Sequence, residues 1–148
     1  MRYEKYTGRI DVHVQDAKRD KSVFSEITEA ALIRKVCQIF TYSLHDETIS
    51  RFRRMMTIEQ FRSEKLSAFY TECYVDRMLR YHTAIFQGLI AAGELRAENP
   101  ETLALMYVSP VITLLGVCDR QPEREEECIK KLEEHVRLFY HTFQKTAE

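Results

Sequence analysis

Glycine and proline are scarce in this chain, four and three among 148 residues. With so few turn formers, long regular elements joined by short connections are expected. A charge bias is missing too. The 22 basic and 23 acidic residues leave a formal net charge of −1, which removes any general electrostatic pull toward nucleic acid. Cys37, Cys73, Cys118 and Cys128 form no Cys-x-x-Cys pair and have no histidine at a metal-ligand interval. They are expected to be reduced, mostly buried small hydrophobes, as suits a cytoplasmic protein. The N-terminus, MRYEKYTGRIDVHVQ, has no apolar core of a signal peptide.

Catalytic patterns are missing as well. There is no glycine-rich phosphate loop and no nucleophile elbow. A helical di-iron site needs a carboxylate three residues before a histidine. Those positions hold Ile10, Tyr42, Leu79, Leu132 and Leu138. His135 and His141 fall on different helical faces and make no metal pair. No enzyme activity, metal or cofactor is expected.

Helical periodicity is what the sequence does have. Residues 3 to 18 are ambiguous: Ile10, Val12 and Val14 alternate like a strand, while Tyr3, Tyr6, Ile10 and Val14 keep helical spacing. With no second convincing strand to pair with, a helix is favoured. Ser22 is the expected cap of a helix running to about Leu44, and Asp46 of the next, DETISRFRRMMTIEQF. From about Glu64 to Ala92, Lys65, Glu72, Asp76, Arg80, Thr83 and Gln87 project onto one narrow arc, and most of the remaining circumference is apolar or aromatic. That helix must be covered on two or more sides.

Gly93 is placed to end it with a positive φ, and Asn99 with Pro100 to cap the next one. TLALMYVSPVITLLGVC, residues 102 to 118, then runs 17 residues without a charge. It sits at the lower length limit for a membrane span, carries Thr, Ser, Pro and Gly, and lacks a flanking basic cluster. A buried soluble helix is the preferred reading, with Pro110 expected to kink it. The last helix, about Pro122 to Lys145, is amphipathic, and PEREEEC puts negative charge at its start, where the helix dipole favours it. The expected fold is an all-α bundle of five or six helices, residues 1 to 148 forming one domain that ends in a helical hairpin.

At this point the residues resemble a family. A long helix ending IAAGELRAENPETLALMY, followed by an apolar and an amphipathic helix, is similar to the C-terminal domain of TetR-family transcriptional regulators. The resemblance stands on Gly93, Glu94, Leu95, Arg96, Asn99 and Pro100, with RFRRMMTIEQF resembling the helix that leads into the central one. It covers roughly residues 45 to 145. It implies an effector-binding and homodimerising domain whose DNA binding would run through an N-terminal helix-turn-helix. Nothing in residues 1 to 50 matches that reader, so this chain is expected not to bind operator DNA by itself.

Two hairpins, one per subunit, would form a four-helix bundle. The interface candidates are Val111, Leu114, Leu115, Val136, Phe139, Tyr140 and Phe143; the alternative reading makes them protomer core. The candidates for a largely apolar effector are Phe52, Met55, Met56, Tyr70, Tyr74, Met78, Tyr81, His82, Phe86, Met106 and Tyr107, a set rich in phenols and thioethers that suits a cavity as well as a core. His82 is read as a donor to an effector carbonyl or carboxylate, a pH sensor, or a satisfied core histidine. Arg51, Arg53 and Arg54 are expected on a solvated face. A stand-alone interaction module that dimerises with or titrates a partner is the alternative function. No membrane partner is expected.

Overall fold

The computed structural model of the chain describes residues 28–146. Helix α1 spans Glu29–His45 and α2 spans Glu47–Glu59. A long central rod follows, made of α3 (Glu64–Thr71), a π-type turn (Glu72–Asp76) and α4 (Arg77–Ala91). Helix α5 spans Pro100–Arg120, a 3-10 turn covers Pro122–Arg124, and α6 spans Glu125–Phe143. Every described helix is accounted for by these rods, so the all-α expectation holds. The ambiguous stretch 3 to 18 and Ser22 lie outside the described residues. The cap of α1 is Thr28, whose hydroxyl accepts the Ala31 N–H at 3.1 Å.

Side-chain capping sets the remaining boundaries. Asp46 accepts the Ile49 N–H at 2.9 Å, and Ser63 accepts the Leu66 N–H at 3.2 Å. Asn99 accepts from both Glu101 and Thr102, at 2.9 and 3.1 Å, with Pro100 at the first helical position. At the end of α4, Gly93 has φ 77°. The Gly93 N–H reaches the Ile90 carbonyl and the Glu94 N–H reaches that of Leu89, the paired bonds of a Schellman stop.

A Cβ at Gly93 would meet nothing nearer than the Lys145 Nζ, 4.0 Å away, so backbone conformation alone opposes substitution. Gly93→Ala is expected to destabilise by about 1 kcal/mol in urea denaturation. A neutral or stabilising result would show that the helix end relaxes out of the left-handed region.

Beyond that stop the chain ties itself to its own C-terminal end. The Arg96 N–H donates to the Phe143 carbonyl at 2.9 Å and the Lys145 N–H to the Glu94 carbonyl at 3.0 Å, while the Arg96 guanidinium lies 5.5 Å from the Phe143 ring centre. This short bridge closes one end of the bundle and buries Leu95.

The core gathers Phe40 of α1, Phe86 and Leu89 of α4, Leu103, Ala104, Tyr107, Val108 and Cys118 of α5, and Cys128, Leu132, Val136 and Phe139 of α6. Ala104, Leu132 and Val136 are completely buried. Helix α5 packs on α4, α6 and α1, and α1 also packs on α6. By length and composition α5 is apolar enough to cross a membrane, but a core helix has the same composition. It runs through Pro110 without interruption.

Candidate functional site

The effector candidates divide into two groups. One lies where α2 meets the start of the rod: Phe52 meets Phe69 edge to face, their centres 6.3 Å apart, and Tyr70 tilts against Tyr74 at 4.9 Å. Met56, on the same helix, is fully buried. The π-type turn sits here, marked by the Arg77 N–H bonding five residues back to the Glu72 carbonyl. Such turns insert one extra residue into a helix and are frequent at functional sites. This one buries Cys73. Burial pushes the Tyr74 phenol above its ordinary value; the neighbouring Cys73 raises it further and Arg53 opposes.

The second group forms a run of rings through the middle of the bundle. His82 and Phe86 of α4 meet Tyr107 of α5 at 5.3 and 5.4 Å, and Tyr107 meets Phe139 of α6 at 5.0 Å. Phe139 continues to Phe143 at 4.9 Å, and Tyr81 stands edge to face on His82 at 5.1 Å. Met78 packs partly buried against this core. Met55 and Met106 do not join either group. They are 42% and 49% exposed, so their thioethers face outward from α2 and α5.

His82 is held in one tautomer. Its Nδ1 lies 2.8 Å from the Met78 carbonyl, which can only accept, so Nδ1 carries the proton. Burial pulls its pKa below 6.5; the Met78 bond opposes and the nearby Lys35 charge assists the fall. A backbone carbonyl thus satisfies the ring, as the reading of a core histidine expects, and in the neutral form Nε2 is left as an acceptor. His135 is fixed similarly, its Nε2 lying 2.9 Å from the Tyr107 carbonyl.

The depressed pKa has a stability consequence. Below the unfolded-state value near 6.5 the unfolded chain takes up a proton that the folded chain refuses, so stability falls as pH drops through that value and is level above it. His82→Gln is expected to flatten the dependence of the melting temperature on pH between about 6.5 and the folded-state value. An unchanged slope would assign the acid sensitivity to other groups.

One arginine departs from the solvated face expected for the basic run. Arg51 and Arg54 are exposed, but Arg53 is 6% exposed. Its Nε and Nη2 donate to the two Asp119 carboxylate oxygens at 2.6 and 2.7 Å, and its Nη1 donates to the Ser43 carbonyl at 2.9 Å. The spacing of Ser50, Arg53 and Met56, three residues each, puts Arg53 on the buried arc of α2 and was the available signal. The partner, 66 residues away, had none.

The hairpin candidates also sort themselves. Val136 and Phe139 belong to the protomer core at 0% and 6% exposure, a correction to their assignment as contact surface. Val111, Leu114, Leu115 and Phe143 are half-buried against the same core, and Tyr140 is half-buried on α6. Between the exposed Glu101 and Arg120 near its two ends, α5 instead exposes Thr102, Leu105, Met106, Ser109 and Thr113, an uncharged stretch, and α6 exposes Leu138 at 69%. Much of the second half of α5 is only half-buried within one protomer. Among the described residues no cluster of three or more His, Cys, Asp or Glu is placed to hold a metal ion.

No family model matches the sequence, and no curated protein does. Among solved structures, the chain is similar to one described as a TetR-family transcriptional regulator of Mesorhizobium loti MAFF303099, with a TM-score of 0.74 at 15% identity, over 95% of this chain and 70% of that one. The described residues thus adopt an all-α fold like that of a TetR-family regulator.

Proposed function

We propose that this chain is the effector-sensing and homodimerising domain of a TetR-type regulator, binding a largely apolar small molecule to control DNA binding by an N-terminal reader. The observation that carries the reading is the ring run from His82 to Phe143, which spans α4, α5 and α6 and so couples the central rod to the hairpin. A ligand inserted among these rings would shift the populations of two packings of the rod, by as much as its affinities for the two differ. The acceptor Nε2 of His82 suits a ligand hydroxyl or N–H in an otherwise apolar body. A thermal-shift screen of hydroxylated apolar compounds tests this: a binder at a hundred times its Kd adds about 2.7 kcal/mol, and His82→Gln should weaken it. A screen in which no compound raises the midpoint would count against effector binding.

For the dimer, the uncharged stripe Leu105, Met106, Ser109 and Thr113 with Leu138 is the surface a second copy would cover. The wild type should sediment as a dimer at micromolar concentration, and Leu105→Glu with Leu138→Glu should sediment as a folded monomer. A wild type that is monomeric throughout would remove the dimer from the proposal.

A second reading draws on the close contacts of the rings. Phe86, Tyr107, Phe139 and Phe143 meet at 4.9 to 5.4 Å, which is the spacing of a filled core. A solid helical module that pairs with a partner through the same hairpin is consistent with that packing. It predicts hetero-association through residues 101 to 145 and no stabilising small molecule.

A further inference from the structure

The two most exposed large apolar side chains among the described residues belong to one end of α2. Ile58, next to last in that helix, is 78% exposed, and Phe61, in the turn that follows it, is 85% exposed. Met55 is exposed three positions before Ile58. Helix α2 packs through its other side on α1 and α3, where Ser50, Arg53 and Met56 are buried. The outward ridge therefore belongs to no part of the protomer core, and none of its residues joins the ring run or the exposed stretch of α5.

Arginines share this face. At about 100° per residue, Arg51, Arg54, Met55 and Ile58 fall within one arc of about 100°, and Arg62 follows Phe61. All three arginines are exposed. Arg51 meets Glu47 at 2.6 Å and Arg62 meets Glu59 at 3.0 Å, while Arg54 pairs with no carboxylate of the described residues. The face thus sets three cations against two carboxylates, on a chain whose net charge is −1.

We propose that the outward face of α2 is a docking surface for an acidic amphipathic helix of another protein. The apolar ridge of that helix would lie along Met55, Ile58 and Phe61, and its carboxylates would meet Arg51, Arg54 and Arg62. Aromatic, Met and Arg side chains are those that interface cores favour, and a guanidinium takes a carboxylate through two parallel N–H bonds. Arg54 offers an unused cation at the centre, and the exposed pairs of Arg51 and Arg62 are too weak to exclude a partner carboxylate. An anionic bilayer fits less well. A helix lying in a membrane interface segregates its charges from its apolar face, whereas here arginines stand on both sides of Ile58 in the same arc. The surface needs no effector, so it stands apart from the ligand-binding reading.

Titrating the isotope-labelled full chain with a synthetic helix-forming peptide, leucine at every third and fourth position and glutamate beside them, tests this through amide chemical shifts. Saturable shifts centred on residues 51 to 62 are expected, weakened by added salt and missing when lysine replaces every glutamate of the peptide. Ile58→Asp should weaken binding at least about tenfold. Arg54→Glu should weaken the glutamate peptide and improve the lysine one. Both positions are exposed, so the variants should keep the wild-type spectrum elsewhere. Equal binding of the two peptides, shifts centred on another element, or no shift at about 1 mM peptide would overturn the proposal. Binding to phosphatidylserine vesicles without binding to the peptide would replace it with a membrane surface. Self-association that Phe61→Asp abolishes, again without peptide binding, would replace it with a second copy of this chain.

Discussion

Arg53→Met is expected to lower the unfolding free energy by about 3–5 kcal/mol, because it leaves the Asp119 carboxylate buried without its cation. The two side chains are 7% and 13% exposed, so water cannot replace the lost partner. The same guanidinium also satisfies the Ser43 carbonyl near the end of α1, one of the acceptors a helix C-terminus leaves unpaired. One residue of α2 thereby ties together the ends of α1 and α5. Lysine is no substitute, since the bidentate geometry with two parallel N–H bonds needs the planar fork. Removing both charges should be far milder than removing one, so Arg53→Met with Asp119→Leu should recover most of the loss. Urea denaturation of the two singles and the double decides it. A single variant that loses less than about 1 kcal/mol would show that water reaches the pair.

That pair also shows where a linear reading stops. Asp46, Gly93, Asn99 and Pro100 act on residues within five positions of themselves, so their roles are legible from local spacing. Arg53 and Asp119 become partners only when α2 and α5 are brought together. The π-type turn is hidden for a related reason: projection at a constant angle per residue cannot register one inserted residue. Helix α5 gave least. A helix apolar on every side has no stripe to say which side faces inward, so its solvent-facing Leu105 and Met106 could not be told from its buried Tyr107 and Val108. The amphipathic α6 did declare its buried stripe, through Leu132, Val136 and Phe139. What it withheld was the owner of that stripe, which is the protomer's own core.

Neighbouring substitutions on α6 separate those two kinds of surface. Phe139→Ala should destabilise the protomer by about 3–5 kcal/mol, since its ring touches those of Phe86, Tyr107, His135 and Phe143. Leu138→Ala, at a position 69% exposed, should change protomer stability by no more than about 0.5 kcal/mol. The two residues are adjacent in sequence and about 100° apart around the helix, so propensity and position along α6 are nearly shared and the difference isolates burial. Unfolding followed at several protein concentrations adds the second distinction. If a partner copy covers the outward stripe, the midpoint rises with concentration in the wild type, and Leu138→Ala reduces that dependence. Phe139→Ala should instead lower the midpoint at every concentration. Equal losses for the two variants at low concentration would mean that Leu138 also belongs to the protomer core, and the contact surface would have to be sought on another face.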